Sequence, residues 1–100
     1  MAAIDSSNQL KQDIQIIEQN VRQLEKKYTD YFDGKIAREP KELRTQTESL
    51  VLRWWGKPIA NTMLRFQFHN LVQRWKTYKE KWDRLLRVKE KNEREELIPE

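Results

Sequence analysis

The chain of 100 residues has no cysteine, two glycines, three prolines and a single histidine. Without cysteine there is no disulfide framework and no thiolate metal site. Two glycines leave no room for a phosphate-cradling Gly-rich loop. Few glycines and prolines also disfavour the tight turns that many short strands require. No apolar run approaches the roughly 20 residues of a membrane span. The first residues, Met1 to Asn8, have neither a basic start nor an apolar stretch, so they do not read as a signal peptide. Cytoplasm is the expected compartment.

What the chain does contain is charge, 36% of its residues, and hydrophobic side chains, 37%. This profile suits long, surface-rich helices better than an ordinary globule. One domain is expected at this length, with a modest core. The net charge of +4 is unevenly spread: residues 61–89 carry eight basic and two acidic side chains, whereas 90–100 carry two and five. The basic balance belongs to one segment.

That segment holds the most regular pattern in the chain. Leu64, Phe68, Leu71, Trp75, Tyr78, Trp82 and Leu85 follow each other at spacings of 4, 3, 4, 3, 4 and 3. This is a heptad seam on a long helix. A second seam with the same spacing runs through Leu10, Ile14, Ile17, Val21, Leu24, Tyr28 and Tyr31. Between them Leu43, Thr47, Leu50 and Trp54 form a weaker stripe flanked by Val51 and Trp55. Punctuation separates the three. Ser7 or Asn8 suits the first N-cap, and Gly34 suits a helix stop. Pro40 suits a first helical position, and Glu42 suits the dipole of that first turn. Gly56 and Pro58 break the second stripe, and Asn61 or Thr62 can cap the third helix.

The expected fold is all-α: three helices over about 8–33, 40–55 and 59–93, in a helical hairpin or bundle with coiled-coil-like seams. Residues 1–7 are expected to be loose and 94–100 to be a fraying acidic tail. Two topologies fit. In one, the three helices close into a bundle. In the other, the first helix pairs antiparallel with residues 40–65 and the third projects into a second chain. In either, an overlong third helix is expected to expose Tyr78, Trp82 and Leu85, and a large exposed apolar patch marks an interface. A homodimer, or a helical protein partner, follows from that. Candidate interface residues are Trp54, Trp55, Phe66, Trp75, Tyr78, Trp82 and Leu85. Adjacent Trp54 and Trp55 diverge by about 100° on a helix, so one of them belongs at an edge. Phe66, off the seam, is a candidate contact against the second helix.

The motifs Tyr31-Phe32-x-Gly34, Arg38-Glu39-Pro40, Asn61-Thr62-x-x-Arg65-Phe66 and Leu71-Val72-Gln73-Arg74-x-x-x-Tyr78-x-x-x-Trp82-x-Arg84-x-x-Arg87 occur in this order. In this the chain resembles a family of small uncharacterised bacterial helical proteins, over about residues 28–87. The resemblance implies a bacterial, cytosolic, helical protein and assigns no activity, ligand or site.

Catalysis needs convergent reactive groups. His69 stands alone at a helix edge, with no acid at positions 65, 66, 72 or 73 to make a metal pair. Asp30 and Asp33, and the run Glu93, Glu95 and Glu96, read as solvated helix ends. No enzyme, cofactor, metal or small-molecule substrate is expected. The basic set on the third helix offers a second function class: Arg74, Lys81, Arg84 and Arg87 are candidates for contact with a nucleic-acid phosphate backbone. The plainer alternative is solvation and ion pairing. If the first and third helices ran antiparallel, Asp13 would meet Lys81 and Glu18 would meet Lys79. A membrane-surface helix is disfavoured, because the aromatic stripe matches the first helix too well to be left for lipid.

Overall fold

A computed structural model describes residues 7–97, so expectations for residues 1–6 and 98–100 lie outside it. Three helices account for almost all of these residues: α1, Ser7–Phe32, α2, Lys41–Trp54, and α3, Thr62–Leu97. The chain is a rod of 72 × 21 × 20 Å.

Each boundary has a local cause. Helix α1 ends in a Schellman motif: the Lys35 amide donates to the Asp30 carbonyl at 2.8 Å and the Gly34 amide to Tyr31 at 3.1 Å. Gly34 takes φ +80° there, a conformation that costs any residue with a Cβ. Pro40 stands one position earlier than expected, as the residue before α2, and its carbonyl accepts the Arg44 amide at 3.1 Å. Helix α2 ends in a turn over residues 54–57. Trp55 has φ −64° and ψ 126°, Gly56 has φ +82°, and the Lys57 amide reaches the Trp54 carbonyl at 3.1 Å. These are the angles of a type II turn, which requires a positive φ at its third residue. Asn61 caps α3 through a 3.0 Å bond from the Leu64 amide to its side-chain oxygen.

The helices close into a bundle, and the projecting-helix topology is not what forms. Contacts fix the directions. Arg44 and Glu48 on α2 meet Asp83 and Lys79 on α3, so these two run antiparallel. Tyr28 meets Glu39 and Arg44 at one end while Asp13 meets Trp54 at the other, so α1 and α2 are antiparallel as well. Helices α1 and α3 therefore run parallel. Their seams match in register: one constant offset relates Leu10 to Leu64, Ile14 to Phe68, Val21 to Trp75 and Tyr28 to Trp82, and all eight side chains are buried. The core is this parallel seam, with Thr47, Val51 and Trp54 of α2 laid over it. Burial of each large apolar side chain contributes about 1.5–3 kcal/mol, so α1, flanked by both other helices, holds the assembly together.

Helix α3 continues to Leu97, beyond the expected 93. Near the end of α1 the Lys89 ammonium lies 5.1 Å over the Tyr31 ring. Beyond that, ion pairs one turn apart, Lys89–Glu93 at 3.1 Å and Arg94–Glu90, line the overhang. Each such pair contributes a few tenths of a kcal/mol to an exposed helix.

Candidate interaction surface

The seam aromatics are consumed within one chain. Trp82 is 2% exposed and Trp75 is 1% exposed. The Trp82 ring stacks on Tyr28 at 4.4 Å and 15° and on Tyr78 at 5.6 Å, and meets Trp75 edge-on at 5.9 Å. The expectation that the overlong helix exposes Trp82 is thus corrected. Parallel packing brings the C-terminal third of α1 alongside residues 78–86, so the overhang starts later than an early-ending bundle would allow. Tyr78 and Leu85 are half-buried at the edge of the seam.

Arg44 closes this cluster from above. Its guanidinium lies 5.9 Å from both the Tyr28 and Trp82 ring centres and bonds Asp83 at 2.7 Å. The Tyr28 hydroxyl donates to Glu39 at 2.7 Å and accepts from Arg44 at 3.3 Å. Burial pushes the Tyr28 phenol up to about 12, with Arg44 drawing it down and Glu39 raising it. A phenol held neutral to that pH is neither base nor nucleophile near neutrality. This four-residue knot ties three helices and the α1–α2 linker together; it is a fastening rather than a reactive centre.

Two further carboxylates fasten indoles. Asp13, 2% exposed, accepts from the Trp54 ring nitrogen at 2.7 Å and from Gln9 at 3.0 Å, with Arg53 at 3.6 Å. Glu48 accepts from the Trp75 ring nitrogen and from Lys79 at 3.0 Å. The antiparallel pairings of Asp13 with Lys81 and Glu18 with Lys79 do not form, because α1 and α3 run parallel; α2 supplies the partners of Asp13 and Lys79. Sequence reasoning gave Asp13 a partner on the wrong helix and missed Arg44, Glu48 and Asp83. Each flanks a stripe residue, as many solvated charges do, and only the docking of α2 distinguishes them.

The surface then holds what the core leaves over. Trp54 is buried at 8% exposure while Trp55 is 50% exposed, so the pair splits between inside and outside. Phe66 stands 62% exposed and outside the core, not against α2; Met63, one turn earlier on the same face, is 71% exposed. Among the cations, Lys79 is committed to Glu48, Lys89 to Glu93, and Lys76 lies 4.9 Å over the Trp55 ring. Arg74 is exposed and faces the Tyr78 hydroxyl. A hydrogen bond to Glu25, with burial, pushes the Tyr78 phenol up, and Arg74 draws it back. Lys81, Arg84 and Arg87 are exposed and have no acid partner among the described residues. They lie on the outer arc of α3.

Among the described residues no group of three His, Asp or Glu side chains is placed to hold a metal ion. Among the same residues no helix is long and apolar enough to cross a membrane. No protein family, curated protein or solved structure matches the chain.

Proposed function

We propose that this is a non-enzymatic helical interaction protein of the bacterial cytoplasm, a small scaffold that self-associates. The observation that carries the reading is the exposed pair Met63 and Phe66, large apolar side chains one helical turn apart on the outer face of α3. The core does not need them, and a rigid helix that shows an apolar face to solvent is suited to receive another helix. Trp55 and the half-buried Tyr78 and Leu85 are the further interface candidates that remain reachable, whereas Trp54, Trp75 and Trp82 are occupied inside the chain. Sedimentation velocity between about 1 and 100 μM, the range of weak specific association, tests the reading. Mass rising toward a dimer, and returning to monomer in Phe66→Asp, supports it. A monomer throughout contradicts it.

A second reading has its own support. The cations Lys81, Arg84 and Arg87, without an acid partner among the described residues, and Arg74 beside them suit a nucleic-acid backbone, bound without sequence preference. Converting Arg74, Lys81 and Arg84 to Glu is expected to abolish oligonucleotide binding with helicity unchanged. Equal binding by that variant contradicts the reading.

A further inference from the structure

The turn that ends α2 leaves a tryptophan outside the core. Its extended backbone at Trp55, φ −64° and ψ 126°, carries the ring off the helix to the side of α3, where Lys76 stands 4.9 Å over it. Trp55 is part of the wall of an open cleft of about 490 Å³. Trp54 and Phe68 supply its apolar floor, and Lys57, Arg65 and His69 its rim. No carboxylate lines it, whereas two other clefts contain Glu39 with Asp30 and Glu42, or Glu39 with Glu48. An exposed indole, an apolar floor and an acid-free cationic rim together select a ligand that is planar, aromatic and anionic.

We propose that this cleft takes one nucleotide of a single-stranded nucleic acid, its base stacked on the exposed part of Trp55 and its phosphate held by Arg65 and Lys57. A strand fits better than a free nucleotide. The cleft is open at its rim, and exposed cations continue along α3 to Arg84 and Arg87. Arg65 to Arg87 spans about 33 Å at 1.5 Å per residue, room for several nucleotides. A duplex does not fit, because its bases are stacked away from an indole platform. This inference rests on the nucleic-acid reading of α3 and adds the place where a base is bound.

The test is fluorescence anisotropy of a labelled oligo(dT) strand of about twelve nucleotides, within the usual site size for such proteins, titrated at low and near-physiological salt. A duplex of equal length and a polyglutamate peptide serve as competitors. The single strand is expected to bind more tightly than the duplex, with affinity that weakens as salt rises. Trp55→Ala is expected to lower affinity by at least about 5-fold, since one base stack contributes 1 kcal/mol or more. Trp55→Phe, which keeps a stacking face, retains most of it. Lys57→Glu with Arg65→Glu, both exposed, is expected to flatten the salt dependence by roughly 0.7 per lost phosphate contact. Circular dichroism verifies that each variant remains helical. Unchanged affinity in Trp55→Ala, with binding still lost when Arg74, Lys81 and Arg84 become Glu, overturns the cleft and leaves the backbone reading standing. No binding of any strand at low salt overturns both. Displacement by polyglutamate as effective as by unlabelled strand overturns the assignment to a nucleotide.

Discussion

Replacing Asp13 with alanine is expected to destabilise the fold by about 2–3 kcal/mol. Asp13 is a carboxylate with 2% of its surface exposed, set between α1 and α2. It accepts hydrogen bonds from Trp54 at 2.7 Å and Gln9 at 3.0 Å. Bonds to a charged group contribute about 1.5–3 kcal/mol, and a buried donor left without its acceptor costs about 1–3 kcal/mol. In Asp13→Ala the Trp54 ring nitrogen stays buried and loses its partner. Arg53, 54% exposed and 3.6 Å away, adds little, because exposed ion pairs contribute only about 0–1 kcal/mol. The hydrogen bonds decide the outcome, so Arg53→Ala should cost less than about 1 kcal/mol. Asp13→Asn keeps an acceptor for the indole and should recover more than half of the loss. Pairing Asp13→Leu with Trp54→Phe removes donor and acceptor together. Its cost should fall below the sum of the single changes by about 1 kcal/mol or more. Urea unfolding followed by far-ultraviolet circular dichroism measures them all, the single changes Asp13→Leu and Trp54→Phe included. A loss of 2–3 kcal/mol corresponds to a fall in Tm of roughly 8–24 °C for a chain of this size. Asp13→Ala within about 0.5 kcal/mol of the parent, the usual range of an inert surface substitution, would refute the reasoning.

Tyr28 gives an alkaline prediction. Its pKa, about 12 in the folded chain, lies above the ordinary 10.0, so the folded state holds the phenolic proton more tightly than the unfolded state. Stability attributable to this group is fully present below pH 10 and is lost between pH 10 and 12, by up to about 3 kcal/mol. In Tyr28→Phe, Tm measured across that window should fall less steeply; an unchanged slope would remove Tyr28 as the cause. Gly34→Ala should cost about 1 kcal/mol through backbone strain alone, since nothing stands within 4 Å of the added Cβ at φ +80°. Denaturant midpoints would expose an error here if the substitution proved neutral or stabilising. Lys81→Glu and Arg84→Glu, with no acid partners to lose among the described residues, should change stability by no more than about 0.5 kcal/mol each. A larger loss in thermal unfolding would show that these cations serve the fold.

Much of the architecture was legible because the two seams are written in one period. Leu10 to Tyr28 and Leu64 to Trp82 share their spacings, and that identity aligns them residue for residue. The same identity hides their direction, because an alternating 4–3 seam matches its partner about equally well when reversed. Direction is settled by residues off the seams: Arg44 with Asp83, Glu48 with Lys79, and Asp13 with Trp54. Gly34 and Asn61 announced their caps, since a positive φ and an orphaned amide each select few residue types. The end of α3 was harder to place. Its last turns hold no apolar stripe, and Lys89–Glu93 and Arg94–Glu90 carry the helix through side-chain pairing instead. Trp55 was legible only as one of a divergent pair; the turn at Gly56 is what places it outside. The exposure expected of Trp82 failed because it assumed a bundle as short as α2, whereas α1 extends far enough for Tyr28 to stack on Trp82.

One chain closes its own aromatic core, so any partner would meet only its outer surface. Acrylamide quenching of two single-tryptophan variants tests it most directly. One keeps only Trp82 and the other only Trp55, with phenylalanine at the other indole positions, and both are measured at nanomolar dilution, where a micromolar dimer is dissociated. Trp82 should be shielded and emit to the blue, with a quenching slope several-fold below that of Trp55. Equal slopes in two folded variants would contradict the account, since Trp82 would then need a second chain to bury it.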